Sequence, residues 1–141
     1  MEPGIVTIGY EKATLDEVCA RLQEAGVTRL VDVRAVASSR RAGFSKSLLA
    51  AGLAEAGIAY THLRALGTPK AGRDAVRAGR VDEMRAIYDE AMQAPEAVDA
   101  FAELQALAAA ERVALLCYEA EPATCHRRIL TERLGLPVTD L

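Results

Sequence analysis

Two short segments hold most of the side chains in this chain that could do chemistry. The first is Leu115-Leu116-Cys117-Tyr118-Glu119-Ala120-Glu121-Pro122-Ala123-Thr124-Cys125-His126-Arg127-Arg128. An apolar run ends in Cys and Glu, a Pro-containing turn follows, and a helix opens on Cys-His-Arg-Arg. With Thr124 as N-cap, or with Glu121 as N-cap and Pro122 at the first helical position, Cys125 is expected in the first turn. Free backbone N–H groups and the helix dipole there favour a thiolate or a bound anion. Cys125 is therefore the first candidate nucleophile and Cys117 the second. The plainer readings are that Cys117 is a buried strand residue and that Cys125 packs on Ile129 one turn later. His126 aligns with Leu130 and Leu134, so it is either a half-buried residue hydrogen-bonded to a strand end or a base or ligand. Cys19 is expected in the core.

The second segment is Val31-Asp32-Val33-Arg34 followed by Ser38-Ser39-Arg40-Arg41-Ala42-Gly43-Phe44. A carboxylate inside an apolar strand needs a partner, because burying it alone is expensive. Arg34 or another strand-end Arg is the obvious candidate. Such a pair by itself would only hold the fold together. The hydroxyls and guanidinium groups of the following turn suit phosphate or carboxylate recognition, against the plainer reading of a solvated basic loop. A zinc site from Cys117, Cys125 and His126 is the weakest of the alternatives: C-x7-C-H matches no usual ligand spacing, and adjacent Cys and His side chains project apart on a helix. No metal ligand is assigned and no cofactor is named.

These segments need a scaffold. Gly4 to Tyr10 reads as a strand, and Thr14-Leu15-Asp16-Glu17 has the spacing of a capping box opening a helix that Gly26 ends. Arg29 to Arg34 is a buried strand, Ser45 caps a second helix that stops at Gly57, and Ile58 to Leu63 is a third strand. From Arg64 to Arg80 the glycines break any period, which predicts a long basic loop with one short helix at most. Val81 to Met92 is helical, Pro95 opens another helix, Arg112 to Tyr118 is the clearest strand, a helix runs from about Thr124 to Leu134, and Pro137 to Leu141 is a last strand. The alternation predicts a single three-layer α/β domain over residues 1–141, with a mainly parallel sheet of four to five strands and helices on both faces. The carboxyl ends of the strands, where open α/β sheets form their sites, then collect Asp32, Arg34, Cys117 and Glu119 on one edge.

Composition narrows the class. The chain has 141 residues, half of them apolar and 26% charged, which suits one globular domain rather than a disordered or fibrous chain. Three widely spaced cysteines do not make a disulfide framework. With no apolar run of membrane-spanning length and no secretory leader pattern at Met1-Glu2-Pro3-Gly4, a cytoplasmic protein without membrane contact is expected. The net charge of −3 conceals a local imbalance: Val33 to Ala54 has no acidic residue but carries Arg34, Arg40, Arg41 and Lys46.

TIGYE, VDVRAVASSRRAGF, GIAYTHLRALGTPK and LLCYEAEPATCHRR, in this order and spacing, resemble the domain of unknown function 488 (DUF488) family over nearly the whole chain. The resemblance implies site roles for Asp32, Arg34, Ser39, Arg40, Phe44, Cys117, Glu119, Cys125, His126 and Arg127. It departs at Tyr10-Glu11, where many relatives carry His-Ser, and near Ala37, where they carry Pro. Membership implies no activity, so the residues carry the functional expectation. The leading one is an enzyme acting on a phosphorylated or otherwise anionic substrate, a nucleotide or nucleic acid. Arg34, Arg40 and Arg127, with Ser39 and Phe44, would hold the anion; Asp32 or Glu119 would act as acid/base or orienting partner; Cys125 or Cys117 would attack. Rhodanese-like sulfur transfer is an alternative, opposed by the acidic Tyr-Glu-Ala-Glu-Pro stretch after Cys117. A non-catalytic module binding nucleic acid or a partner protein is another, opposed by the few aromatics available for base stacking.

Overall fold

The computed structural model describes residues 4–141. Ile5–Gly9 (β1), Arg29–Asp32 (β2), Ala59–His62 (β3), Val113–Cys117 (β4) and Val138–Asp140 (β5) pair in parallel, in the order β3-β2-β4-β1-β5. Every residue of β1 and β4 is buried, as their predominantly apolar runs require when both faces of a sheet are covered. The edge strands β3 and β5 are partly exposed.

Helices Leu15–Glu24 (α1) and Lys46–Glu55 (α2) cover one face, where Val18, Leu22, Leu49 and Leu53 pack on Val6, Ile8, Leu30 and Leu116. Helices Val81–Ala91 (α4), Pro95–Ala110 (α5) and His126–Leu134 (α6) cover the other, through Met84, Tyr88, Leu104, Ile129 and Leu130 against Ile5, Val31, Val113 and Leu115. The side chains of β4 alternate between the two cores, as the two-residue strand period demands. Each fully buried Val or Leu contributes about 1.5–3 kcal/mol relative to an exposed one.

The capping box forms as its spacing predicts. The Thr14 hydroxyl accepts from the Glu17 N–H at 3.2 Å, and the Glu17 carboxylate accepts from the Thr14 N–H at 3.2 Å. Thr14→Ala should therefore lower stability by about 1 kcal/mol, and Thr14→Ser should not; urea titration of the two variants distinguishes them.

The predicted loop from Arg64 to Arg80 is instead mostly helical: a 3₁₀ turn at Arg64–Leu66 and a helix at Lys70–Arg77 (α3). Two of the glycines that hid this period, Gly67 and Gly72, have packing roles, whereas Gly79 has nothing within 4 Å and a left-handed φ of +78°. A Cβ on buried Gly72 would lie 2.5 Å from the Thr68 side chain, so the tight entry from Thr68 into α3 needs the side chain to be missing. Asp74 pairs with both Lys70 and Arg77 on the exposed face. The last helix also starts later than expected. Pro122–Thr124 form a 3₁₀ turn with Glu121 as its cap, and α6 begins at His126 with Cys125 as N-cap.

After β2 the chain turns to α2 on one face, whereas after the neighbouring β4 it turns to α6 on the other. The two carboxyl ends diverge and leave a crevice between them, the usual ligand position in open α/β sheets. The two chemistry-bearing segments flank that crevice.

Candidate functional site

On the β2 side, Asp32 is completely buried and Arg34 only 6% exposed. The guanidinium grips the carboxylate as a fork, Nε to Oδ1 at 2.8 Å and Nη2 to Oδ2 at 2.7 Å, and the Arg34 N–H adds a third bond at 3.1 Å. The Tyr60 hydroxyl donates to Oδ2 at 2.6 Å, while Arg34 Nη1 donates to the Tyr10 hydroxyl and the Phe44 carbonyl. Burial alone would lower the Arg34 pKa, but the Asp32 carboxylate outweighs it and the net shift is upward, so the cation persists. Burial, then Asp32, raises the Tyr60 pKa and keeps that hydroxyl a donor. Phe44 is fully buried and stacks on Tyr10 at 4.3 Å between centroids. The expected partnership of Asp32 and Arg34 is present. It also ties the end of β2 to β3, to the β1 end and to the turn before α2.

On the β4 side the two cysteines, eight residues apart, meet as a disulfide. Their separation in sequence concealed this, because the strand end and the helix start come together only after the intervening turn folds back. Cys125 has the extended backbone of an N-cap, φ −121° and ψ 146°, and its sulfur accepts from the Arg127 N–H at 3.5 Å. It therefore does not lie in the helix, and the expectation that Cys125 and His126 project apart is corrected: their ligand atoms and that of Cys117 all lie within 4.8 Å of one another.

His126 Nε2 is 2.6 Å from the Val33 carbonyl. A carbonyl only accepts, so Nε2 carries the proton and the neutral ring leaves its Nδ1 lone pair toward Cys125 Sγ at 3.6 Å. Burial pushes the His126 pKa down to about 4, against the smaller upward pull of the Val33 bond.

Arg127 lies beneath this cluster with no exposure. Its Nη1 donates to Cys117 Sγ at 2.9 Å and to the Glu119 carbonyl at 2.6 Å, and Nη2 donates to the Ala120 carbonyl at 3.1 Å. Its Nε has no partner among the described residues, and burial lowers its pKa. No carboxylate forms an ion pair with it among those residues, so the polar groups it faces are carbonyls and a sulfur. Gly9 pairs with Cys117 in the sheet and makes this approach possible: a Cβ there would stand 2.8 Å from Arg127 Nη1 and closer still to the Glu119 carbonyl.

Above the cluster opens a cleft of about 780 Å³. Cys117 and His126 reach it, while Arg34, Arg40, Arg41, Arg73 and Arg77 stand around it together with Ser38 and Ser39. Arg40 makes no hydrogen bond or ion pair among the described residues, and Arg41 spends its two terminal nitrogens on the Glu11 and Ala13 carbonyls. Only Glu11 and Glu119 oppose these five cations on the cleft wall. Burial raises the Glu119 pKa, against the smaller downward pull of a backbone hydrogen bond and of Arg127. Tyr118, 46% exposed, stands at the rim.

The family model described as domain of unknown function DUF488 matches residues 14–134. The chain belongs to the DUF488 family. No curated protein and no solved structure matches it. The DUF488 match runs from the cap of α1 to the end of α6 and contains every candidate residue of the two segments, whereas Gly9 and Tyr10 lie outside it. Among the described residues, no helix is long and apolar enough to cross a membrane.

Of the residues proposed from sequence, Arg34, Ser39, Arg40, Cys117, Glu119 and His126 line the cleft. Asp32, Phe44, Cys125 and Arg127 stand behind that wall and hold its members. The sequence reading missed Arg73 and Arg77, because a segment read as a loop has no face to assign. It also missed Tyr60 and Gly9, whose roles depend on which strand lies beside which.

Proposed function

We propose that this DUF488 protein binds a phosphate-containing anion of the nucleotide class in the arginine-lined cleft and acts on it at the Cys117–Cys125–His126 cluster. The observation that carries the reading is five guanidinium groups around a cleft whose floor is a sulfur and an imidazole. Guanidinium groups match phosphate oxygens in fork geometry, and the exposed Tyr118 ring offers a base a stacking face. In this reading Arg40 and Arg73 hold the phosphate, Glu119 supplies a proton, and Cys117, once a thiol reductant has opened its disulfide to Cys125, is the sulfur that meets the substrate. Asp32 fixes Arg34, and Arg127 fixes Cys117.

Each charge-assisted bond to phosphate is worth about 1.5–3 kcal/mol, so Arg40→Ala and Arg73→Ala should each weaken binding of a nucleoside monophosphate about tenfold or more. Affinity should also fall with added salt, because the contacts sit in an open cleft. Cys117→Ala should keep binding and lose turnover. Calorimetric titration with nucleoside monophosphates and short oligonucleotides, with a turnover screen on the same ligands, checks this. Unchanged affinity and turnover in all three variants would sink the reading, and salt-dependent binding without any turnover would turn it into a binding module.

A sulfur-transfer reading draws on one contact, the bond from Arg127 Nη1 to Cys117 Sγ, which would stabilise a negatively charged sulfur. Mass spectrometry of the reduced protein after incubation with thiosulfate tests it: no added sulfur on Cys117 removes it.

A further inference from the structure

We infer that the reduced Cys117–Cys125–His126 cluster is a binding site for a thiophilic divalent cation of the zinc class, with its fourth coordination position open to the arginine-lined cleft. The inference rests on the anion-binding reading only for what approaches that fourth position.

Two thiolates and an imidazole make a soft-to-borderline donor set with no hard oxygen ligand, which suits zinc and not magnesium or calcium. The three ligand atoms already converge within 4.8 Å, and all three residues are buried. His126 is set for the role by its other nitrogen. With Nε2–H held by the Val33 carbonyl at 2.6 Å, the ring is fixed in one tautomer and its Nδ1 lone pair faces the sulfurs. A backbone carbonyl behind a ligating histidine is a recurrent outer partner of metal sites.

The backbone spacing agrees. The Cys117 and Cys125 α-carbons are 7.3 Å apart, wider than the roughly 4.4–6.8 Å that disulfides usually span. Sulfurs held on one ion at about 2.3 Å each need more room than sulfurs bonded to one another.

The cleft reaches Cys117 and His126, so a water or an anion oxygen can complete the tetrahedron from that side. Three protein ligands with one open position is the pattern of zinc sites that do chemistry rather than only hold a fold. Two thiolates offset the two charges of the ion, and Arg127 Nη1 hydrogen-bonds the Cys117 sulfur at 2.9 Å.

The ion and the disulfide exclude each other, since the ion needs both sulfurs as thiolates. Reduction by a water-soluble phosphine takes up one water, yields the phosphine oxide and leaves two thiols. Binding the ion then releases their two protons to solvent.

The test uses the full chain, phosphine-reduced, freed of metal by chelation and titrated with Co²⁺ as a spectroscopic stand-in and then with Zn²⁺. One equivalent per chain should bind, with thiolate-to-cobalt charge-transfer absorption and release of two protons, and Zn²⁺ should displace the colour. Cys125→Ser and His126→Gln should lose the bound equivalent, and Cys19→Ser should keep it. Serine is itself a good N-cap, so Cys125→Ser preserves the helix start. A reduced wild-type chain that binds no equivalent overturns the inference, and so does full binding by a folded Cys125→Ser variant. Arg40→Ala should bind the ion like wild type. Ion binding with no nucleotide binding would fail the anion reading alone, and the reverse would fail the metal site alone.

Discussion

Replacing Asp32 by Ala should lower folding stability by about 3–5 kcal/mol, the usual cost of leaving one member of a buried ion pair without its partner. The figure belongs at the upper end of what single substitutions do because both groups are removed from water, at 0% and 6% exposure. Four donors converge on that carboxylate: two guanidinium N–H groups, the Arg34 backbone N–H and the Tyr60 hydroxyl. All four lose their acceptor at once. Tyr60→Phe should cost only about 1 kcal/mol, since it removes one of the four bonds and keeps the ring. Replacing both partners, Asp32→Leu with Arg34→Met, should recover much of the loss, because a well-packed apolar pair avoids the desolvation penalty. Urea unfolding of the four proteins measures all of this. If Asp32→Ala fell within about 1 kcal/mol of wild type, the pair would be contributing no more than an exposed one.

Gly9→Ala should damage the fold and the cluster together. The added Cβ would lie 2.5 Å from the Glu119 carbonyl carbon and 2.8 Å from Arg127 Nη1, with the carbonyl oxygen nearer than either. Backbone cannot move aside as a flexible side chain can, so the strain should reach at least the ~1–3 kcal/mol typical of overpacking. Arg127 would lose its seat on the Glu119 carbonyl, and Cys117 in turn would lose Arg127. The variant should therefore unfold at lower urea and bind Co²⁺ less tightly after reduction. Gly79→Ala is the control. It carries the strain of a left-handed glycine position, φ +78°, which Gly9 in its strand does not have, but meets nothing within 4 Å, so it should lose modest stability and keep the cluster. Equal loss of Co²⁺ binding from both substitutions would show that the close approach at Gly9 is not what keeps the cluster in place.

Most of the scaffold was legible in the sequence. The strand β4 is an unbroken apolar run and β1 nearly so, α1 opens on a capping box, and α5 opens on Pro95, each a local signal needing no knowledge of the rest of the chain. The segment from Arg64 to Arg80 was not legible. There the small residues that let α3 pack closely are the same ones that weaken a helical period, so Arg73 and Arg77 could not be assigned to the cleft. Cys125 failed for a related reason. Whether it lies in the first turn or caps the helix shifts its position by one residue, and that residue decides which way its sulfur points.

Sequence alone determined that Asp32 needs a strand-end Arg, because a charge in an apolar strand must find a partner wherever the strand goes, and the structure made that partner Arg34. It also fixed the two segments that carry the chemistry, since residue types do not depend on fold. The tertiary structure decided how those segments meet. Parallel pairing sets β2 beside β4 and Gly9 beside Cys117, and the opposite departures of the chain open the cleft between them. Only that arrangement brings Cys117, Cys125 and His126 within 4.8 Å and sets Arg127 beneath them. Contacts between residues far apart in the chain depend on register and crossover, and no local pattern encodes either.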